Sequence, residues 1–334
     1  MSIQYKVLGK PGRDNGLFIW LNTGTRMFRI LFDCGESIFH GIKQSDIKSI
    51  DYLFLSHLHI DHFAGFDYYF RRNFDREKPN YIWGPEDTSE IVHNRLRGFK
   101  WNLLDGIHGE FIVTDISGEN TFTHRFTSAE SFSVKHDAGR HPFNGILIDN
   151  PAYSVSTAIL NHRIPSIAYR ITEKDSFNIS KEALSNSGLT PGKWLEQVRD
   201  LSLNENNHIE VDEKTFTTGE LRDMLLEEKK GESICYLTDF SADEESIPNI
   251  ITLMQNCDTV VCESQYHSQD LDLAVKNYHM TSRQTAELAK KANVKKLILF
   301  HISERYTTNS SHIRLLDDAR SIFPATYFPD EWKS

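Results

Sequence analysis

The chain has 334 residues, which is enough for one large α/β domain that carries an insertion. Hydrophobic residues make up 39% and charged residues 25%, an ordinary balance for a soluble globular protein. The formal net charge of -10 argues against binding nucleic acid through bulk positive charge, although it permits a local basic patch.

The cysteines and the N-terminal segment indicate the compartment. The four cysteines are scattered and form no Cys-x-x-Cys pair, which predicts reduced residues of a cytoplasmic protein rather than a disulfide framework. The first ten residues lack the charged start and apolar core of a secretory signal peptide. No apolar run has the length that a membrane-spanning helix requires. We therefore expect a soluble, cytoplasmic protein without a membrane partner.

Short apolar runs separated by turn residues predict strands in the first half of the chain. Residues 17–21 and 28–32 are expected to pair, and residues 52–55 are expected to form a buried strand. A helix is predicted to begin near Phe63. Another is predicted within residues 85–99, because acidic residues come early and basic residues come late. Further strands are predicted at residues 111–116, 145–148, 154–160 and 166–171.

Strands and helices alternate in the last third of the chain. This alternation is typical of sheets that are covered by helices, so the fold class is α/β. The predicted strands are residues 234–238, 259–262 and 296–300, and the predicted helices are residues 243–255, 282–292 and 311–322.

Residues 173–222 depart from this rhythm. The segment is polar, contains an Asn-rich run and the Pro-Gly turn at residues 188–194, and has few strand signals. Its six basic residues are outnumbered by ten acidic ones, so it is not a basic clamp. We interpret it as an arm inserted into a single domain that spans residues 1–334.

The strongest chemical signal is a His-x-His-x-Asp-His pattern directly after the predicted strand at residues 52–55. It supplies imidazole and carboxylate ligands, which are the types that zinc prefers. In a loop these side chains diverge, so that His57 and His59 serve one metal ion while Asp61 and His62 serve a second. The alternative is a chance histidine cluster on a solvated turn.

Three single residues follow later strands in the same way, namely His162, Asp239 and His301. Each alone is more often a core or capping residue. Together they matter, because sites in open α/β sheets form beyond the carboxyl ends of the strands. Two zinc ions need about seven ligands when one carboxylate is shared. The prediction assigns His57, His59 and His162 to one ion and Asp61, His62 and His301 to the other, with Asp239 as the bridge.

With Asp33 in the segment LFDCGE, these residues are similar to the metallo-β-lactamase superfamily. Within it, the chain resembles the ribonuclease Z family of tRNA 3′-processing endonucleases. The more specific matches are HMTSRQTA at residues 279–286 and HISERY at residues 301–306. Matching segments follow the family's order across residues 32–40, 56–65, 161–171, 237–240, 262–266, 278–289 and 297–306.

The resemblance implies a four-layer αβ/βα sandwich and cleavage of precursor tRNA after the discriminator nucleotide. It also implies that the arm grips the tRNA body, through the turn at residues 188–194. The cofactors are expected to be two divalent metal ions, zinc first, with manganese or iron as alternatives. The expected partners are precursor tRNA as substrate and a second copy of the chain in a homodimer.

The resemblance also suggests roles for residues that are not metal ligands. Asp33 is expected to hold the metal-ligand loop from behind, although a buried turn-capping aspartate is the alternative. His279 is expected to protonate the ribose 3′-oxygen as it leaves, and the alternative is an ordinary histidine at a helix N-terminus. One interpretation of Glu263 is that it orients His279, and the alternative is an exposed carboxylate at the end of a strand. Asp61, itself a predicted metal ligand, is expected to accept or steer the proton of the attacking water.

Two other functions stay open. Residues 65–68 and 262–265 depart from the family pattern, and residues 135–151 are interpreted as an extra loop. These differences and the acidic arm favour a metallo-β-lactamase-fold phosphodiesterase that acts on cyclic nucleotides or small diesters. The more distant alternative is a non-catalytic RNA-binding module. The complete set of ligands argues against it, since loss of activity would tolerate loss of ligands.

Overall fold

The computed structural model describes residues 2–23, 26–104, 106–307 and 311–332. The chain divides into two units. The larger unit comprises residues 1–172 and 232–334, and the smaller one comprises residues 173–231. All the site residues predicted from the sequence belong to the larger unit.

Strands are the main regular structure of the chain. They are β1 (Ser2–Leu8), β2 (Gly16–Asn22), β3 (Met27–Phe32), β4 (Tyr52–Phe54), β5 (Asn80–Pro85), β6 (Glu110–Ser117), β7 (Asn120–Thr127), β8 (His136–Pro142), β9 (Ile146–Asp149), β10 (Tyr153–Asn161), β11 (Pro165–Glu173), β12 (Ser176–Ile179), β13 (His208–Val211), β14 (Lys214–Thr217), β15 (Leu226–Lys229), β16 (Ser233–Leu237), β17 (Thr259–Glu263), β18 (Lys296–Phe300) and β19 (Thr326–Tyr327).

The helices are short. Within the described residues, none is both long and apolar enough to cross a membrane. They are α1 (Gln44–Ile47), α2 (Ile60–Phe63), α3 (Phe66–Asn73), α4 (Thr88–Arg97), α5 (Lys181–Ser187), α6 (Trp194–Arg199), α7 (Thr218–Leu225), α8 (Ser246–Met254), α9 (Leu271–Asn277), α10 (Ser282–Lys291) and α11 (Ile313–Arg320).

Two large mixed sheets lie at the centre of the described part of the larger unit. In the first sheet, β1 to β8 lie side by side in chain order, and the pairs from β3 to β6 are parallel. In the second sheet the order is β19-β18-β17-β16-β11-β10-β9, and the pairs from β16 to β19 are parallel. Parallel strands end at the same edge of a sheet, so the loops that follow them are neighbours.

The two sheets pack against each other through an aromatic core. The ring of Phe32 on β3 lies 5.3 Å from the ring of Phe54 on β4. From the second sheet, Tyr169 approaches the same ring to 5.3 Å and Tyr236 to 5.6 Å. Apolar residues of α3 and α4 pack on the outer face of the first sheet, and those of α8 and α10 pack on the second. The predicted αβ/βα sandwich is confirmed.

Strands and helices with strong apolar patterns lie where the sequence predicts them. Residues 17–21 fall within β2, for example, and the helix predicted within residues 85–99 is α4. The loop predicted at residues 135–151 is wrong, because most of the segment forms β8 and β9, although β9 overlaps the strand predicted at residues 145–148. Both are edge strands and largely exposed. Strand β8, which was not predicted, therefore lacks the apolar alternation by which a half-buried strand is recognised.

The smaller unit is built from three described helices and two pairs of strands. Strand β12 pairs with β15, and β13 pairs with β14, in both cases antiparallel. Helix α7 begins at a capping box, in which Thr217 and Glu220 satisfy each other's backbone donors. Its core consists of Leu189, Trp194, Val198, Ile209, Val211, Leu221 and Leu225.

Replacing the central ring between the sheets tests how the larger unit is stabilised. Phe32→Ala should lower the free energy of unfolding by about 3–5 kcal/mol, because neighbouring rings cannot close the resulting cavity fully. Met27→Ala, at the exposed end of the same strand, should change it by no more than about 0.5 kcal/mol. Chemical denaturation measures both. Equal effects of the two substitutions would contradict the assigned core.

Candidate metal centre

The predicted metal ligands lie just beyond the ends of four strands. The His-x-His-x-Asp-His loop follows β4 and continues into the short helix α2. His162 follows β10, Asp239 lies two residues beyond β16, and His301 follows β18. Because β3 and β4 end at one edge of the first sheet and β16 to β18 at one edge of the second, these loops can converge. The structure brings all seven side chains together.

The seven side chains form two groups. The nitrogen and oxygen atoms available as ligands lie within 4.8 Å of one another in each group. Asp239 is the link, since one oxygen, Oδ2, lies 3.5 Å from His57 Nε2 while the other, Oδ1, lies 3.3 Å from His301 Nε2. The first group is His57, His59, His162 and Asp239, and the second is Asp61, His62 and His301.

The donor set fits divalent metal ions. The Nε2 atom of His57 is fully buried and has no hydrogen-bond partner among the described residues, although a buried imidazole nitrogen ordinarily has one. It points instead to the Asp239 carboxylate, which is itself almost fully buried. Neutral imidazoles and carboxylates that converge in this way are the ligands of zinc and related metals.

Asp33 holds the metal-ligand loop from behind. Its Oδ1 accepts a hydrogen bond from the Ser56 backbone at 2.7 Å, and its Oδ2 accepts from His62 Nδ1 at 2.8 Å. Oδ2 also accepts from the hydroxyl groups of Ser56 and Tyr236. These contacts fix the His62 ring so that Nε2 faces the site. A carboxylate that holds the far nitrogen of a ligand histidine is the usual support in metal sites.

Close backbone packing positions the Asp33 turn against α2. A Cβ atom on Gly65 would lie 2.3 Å from the Gly35 carbonyl oxygen, so only glycine permits this approach. Asp33, Asp239 and His301 all have φ near +50°, a conformation that side chains other than glycine rarely adopt. Such strain typically costs about 1–3 kcal/mol per residue and concentrates at functional sites.

Carboxylates near His62 favour a positive charge in the second group. Burial lowers the pKa of His62, but the carboxylates of Asp239 and Asp33 outweigh it and raise this pKa well above its ordinary value. At His57 burial prevails and lowers the pKa, which keeps that imidazole neutral. A neutral imidazole is the form that binds metal.

His279 and Glu263 form a pair beside the two groups. Glu263, the last residue of β17, is fully buried, and its Oε2 accepts a hydrogen bond from His279 Nδ1 at 3.1 Å. Burial opposes protonation of His279, but the Glu263 carboxylate outweighs it and raises the pKa of His279 to about 9. A ring nitrogen of His279 also lies within 4.8 Å of possible ligand atoms of Asp239 and His301. Asp239 and His301 each belong also to one of the two groups described above.

Comparison with known proteins identifies the family. Ribonuclease Z from Deinococcus radiodurans is 36% identical to this chain over 327 residues, which cover 98% of this chain and 97% of that protein. The chain belongs to the ribonuclease Z family. Ribonuclease Z from Prochlorococcus marinus is 30% identical over 90% of this chain and 88% of that protein. A family model for the beta-lactamase superfamily domain matches residues 206–302, and a model for the anti-Pycsar protein Apyc1 matches residues 19–172.

Solved structures support the fold of this ribonuclease Z family member. Human tRNase Z, short form, has a TM-score of 0.55 at 16% identity and covers 91% of this chain and 94% of its own. The metallo-β-lactamase fold protein YhfI from Bacillus subtilis has a TM-score of 0.56 at 17% identity, with 98% and 96% covered. At such low identity the likeness concerns the fold alone. The predicted metallo-β-lactamase fold is confirmed.

Three polar side chains at the site were not predicted from the sequence. The Asn15 amide nitrogen lies 3.2 Å from Asp61 Oδ2 and 3.1 Å from His62 Nε2. The Gln265 amide lies 3.1 Å from His301 Nδ1. Tyr236 binds Asp33. A buried tyrosine hydroxyl needs a partner, so the tyrosine within the apolar run at residues 234–238 was a usable signal. Asn15 and Gln265 gave no such signal in the sequence.

Asp33→Asn tests whether this carboxylate supports the metal-ligand loop. The asparagine keeps the size of the side chain. Its amide NH2 group, however, would face at least one of the groups that now donate a hydrogen bond to Asp33. Metal affinity should fall by about 10–100-fold, as is typical when such a support is lost. Titration of the metal-free protein with zinc, followed by calorimetry, measures it. Unchanged affinity in a correctly folded variant would contradict this role.

Proposed function

We propose that this member of the ribonuclease Z family is a metal-dependent endoribonuclease that removes the 3′ trailer of precursor tRNA. One observation carries the proposal. The buried carboxylate of Asp239 lies between two groups of metal-ligand atoms, and the His279–Glu263 pair lies beside them. Two metal sites next to a proton donor suit in-line cleavage of a phosphodiester.

Two divalent ions are assigned to the two groups of ligand atoms. Zinc matches the ligands best, with manganese and iron as alternatives. When bound, such ions would supply an activated water and stabilise negative charge on the non-bridging phosphate oxygens. We assign His57, His59 and His162 to one ion and Asp61, His62 and His301 to the other, with Asp239 shared.

The protein's own groups would move the protons. Asp61 is partly exposed, and its Oδ2 lies 3.3 Å from His62 Nε2 and 3.5 Å from His301 Nε2. It therefore stands at the mouth of the site, where it can accept or steer the proton of the attacking water. His279 would donate a proton to the ribose 3′-oxygen, a poor leaving group without one. Glu263 would keep the His279 ring in place through Nδ1.

The substrate assignment rests on the curated relatives named ribonuclease Z, which match nearly the whole chain. A precursor tRNA would release a mature tRNA with a 3′-hydroxyl group. We further propose that the protein acts in the cytoplasm, where such a substrate would be available, and that it forms a homodimer. Light scattering would give the molar mass in solution.

One assay separates the proposed function from its alternatives. A 3′-extended precursor tRNA and bis(p-nitrophenyl) phosphate are incubated with the protein, with and without a chelator. We expect metal-dependent cleavage after the discriminator nucleotide. Hydrolysis of the small diester without cleavage of the tRNA would favour the small-diester phosphodiesterase. Binding of the tRNA without cleavage of either substrate would favour the RNA-binding module.

His279→Ala separates proton donation from metal support. Cleavage of precursor tRNA should slow by about 10²–10⁴-fold, which corresponds to roughly 3–5 kcal/mol of activation free energy. Nitrophenolate leaves readily without a proton, so hydrolysis of bis(p-nitrophenyl) phosphate should suffer far less. Metal content, measured by elemental analysis, should be unchanged. Equal losses on both substrates would assign His279 to positioning or metal support instead.

Removing the arm tests whether it binds the body of the tRNA. The first and last strands of the smaller unit are paired, with Ile179 opposite Leu226, so residues 180–225 can be replaced by a short Gly-Ser turn. KM for precursor tRNA should rise while hydrolysis of bis(p-nitrophenyl) phosphate stays largely intact. Remote contacts contribute binding energy that only a large substrate can use. Equal impairment of both substrates would show that the arm supports the active site itself.

A further inference from the structure

A cavity of about 340 Å³ opens beside His279. It lies among the loops that follow β10 and β16 and the segment that joins α9 to α10. The cavity does not contain any of the seven predicted metal ligands, so it is distinct from the metal centre. Besides His279, its lining includes Asn161, Ser241, Asp243, Tyr278 and Gln284.

Tyr278 is the aromatic wall of this cavity, and its backbone is firmly held. It has φ of +59°, and its carbonyl oxygen accepts a hydrogen bond from His162 Nδ1 at 2.8 Å. This hydrogen bond joins the backbone of Tyr278 to His162, a predicted metal ligand. The guanidinium of Arg163 lies 4.8 Å from the centre of the Tyr278 ring and also donates to the Lys276 carbonyl oxygen. A ring fixed in this way is a ready stacking surface.

Other residues that line the cavity are polar and acidic. Asp243 Oδ2 accepts hydrogen bonds from the Asn161 amide at 3.2 Å and the Ser241 hydroxyl at 3.1 Å. Its Oδ1 accepts from the Ser246 backbone at 2.7 Å. A carboxylate repels phosphate but accepts from sugar hydroxyl and base amino groups. The lining therefore suits the uncharged part of a nucleotide rather than its phosphate.

We propose that this cavity binds the nucleoside whose 3′-oxygen leaves during cleavage. The inference rests on the proposed function and names a subsite for it. A proton donor must lie on the side of the leaving oxygen, so the leaving nucleoside must lie on the His279 side of the phosphate. The cavity opens there, and its volume is near the lower end of the range for small-ligand pockets. It accommodates one unpaired nucleoside, whose base stacks on Tyr278.

Two precursor tRNAs test the assignment. One carries the normal base on the nucleotide immediately 5′ of the cleaved bond, and the other is abasic there. When an aromatic ring on which a base stacks is removed, binding typically weakens by roughly 5- to 150-fold. The wild-type protein should therefore lose roughly 5- to 150-fold in kcat/KM on the abasic substrate.

Variants of the ring then assign this preference to Tyr278. Tyr278→Leu should lower kcat/KM for the normal substrate by a similar factor. For the abasic substrate, its kcat/KM should be little lower than that of the wild-type protein. Its metal content should be unchanged. Tyr278→Phe keeps the ring and should recover most of the loss. Tyr68→Leu, an exposed tyrosine outside the cavity, is the control for replacing a tyrosine by leucine.

The outcomes are distinguishable. The subsite is wrong if the wild-type protein cleaves both precursors equally well. It is also wrong if Tyr278→Leu loses the same factor on both, because the ring would then support the fold or the metal centre. If the wild-type protein cleaves neither precursor, the proposed function fails, and the subsite assignment fails with it. The wild-type comparison needs no variant, so a Tyr278→Leu protein that does not fold leaves the test intact.

Discussion

The buried carboxylate of Asp239 is the constraint on which the site depends. Its two oxygens lie 3.3–3.6 Å from the Nε2 atoms of four histidines, which belong to loops of both sheets. An ionised carboxylate removed from water is unfavourable unless positive charge compensates for it. Divalent ions between Asp239 and these imidazoles would supply that charge. The same ions would account for the buried His57 nitrogen, which lacks a hydrogen-bond partner within the part of the chain that the structure describes.

The second sheet of the αβ/βα architecture supports the loop of the first sheet that carries the predicted metal ligands. Two tyrosines of the inter-sheet core carry hydroxyl groups that need partners. The Tyr169 hydroxyl donates to the Leu55 carbonyl oxygen at 2.7 Å, and the Tyr236 hydroxyl donates to Asp33 at 2.9 Å. The Ile167 backbone also donates to Ser56. Residues that form the core between the sheets therefore also position the predicted metal ligands.

The sequence was informative where the chemistry is local or the burial is strong. The pattern at residues 57–62 and the apolar strands before His162, Asp239 and His301 predicted both the layers and the ligand groups. Edge strand β8 was missed, because its largely exposed residues carry no apolar alternation. Asn15 and Gln265 were missed as well, since their proximity to the site arises from tertiary packing. The cavity at Tyr278 likewise depends on loops distant in sequence.

The metal content of Asp239→Ala tests the account most directly. Elemental analysis should find up to two divalent ions per chain in the wild-type protein. Asp258→Ala removes an aspartate outside the site and should bind as many ions as the wild-type protein. Asp239→Ala should lose occupancy at both positions, because it removes the carboxylate that both ligand groups share. Full two-ion occupancy in Asp239→Ala would contradict the shared-carboxylate centre.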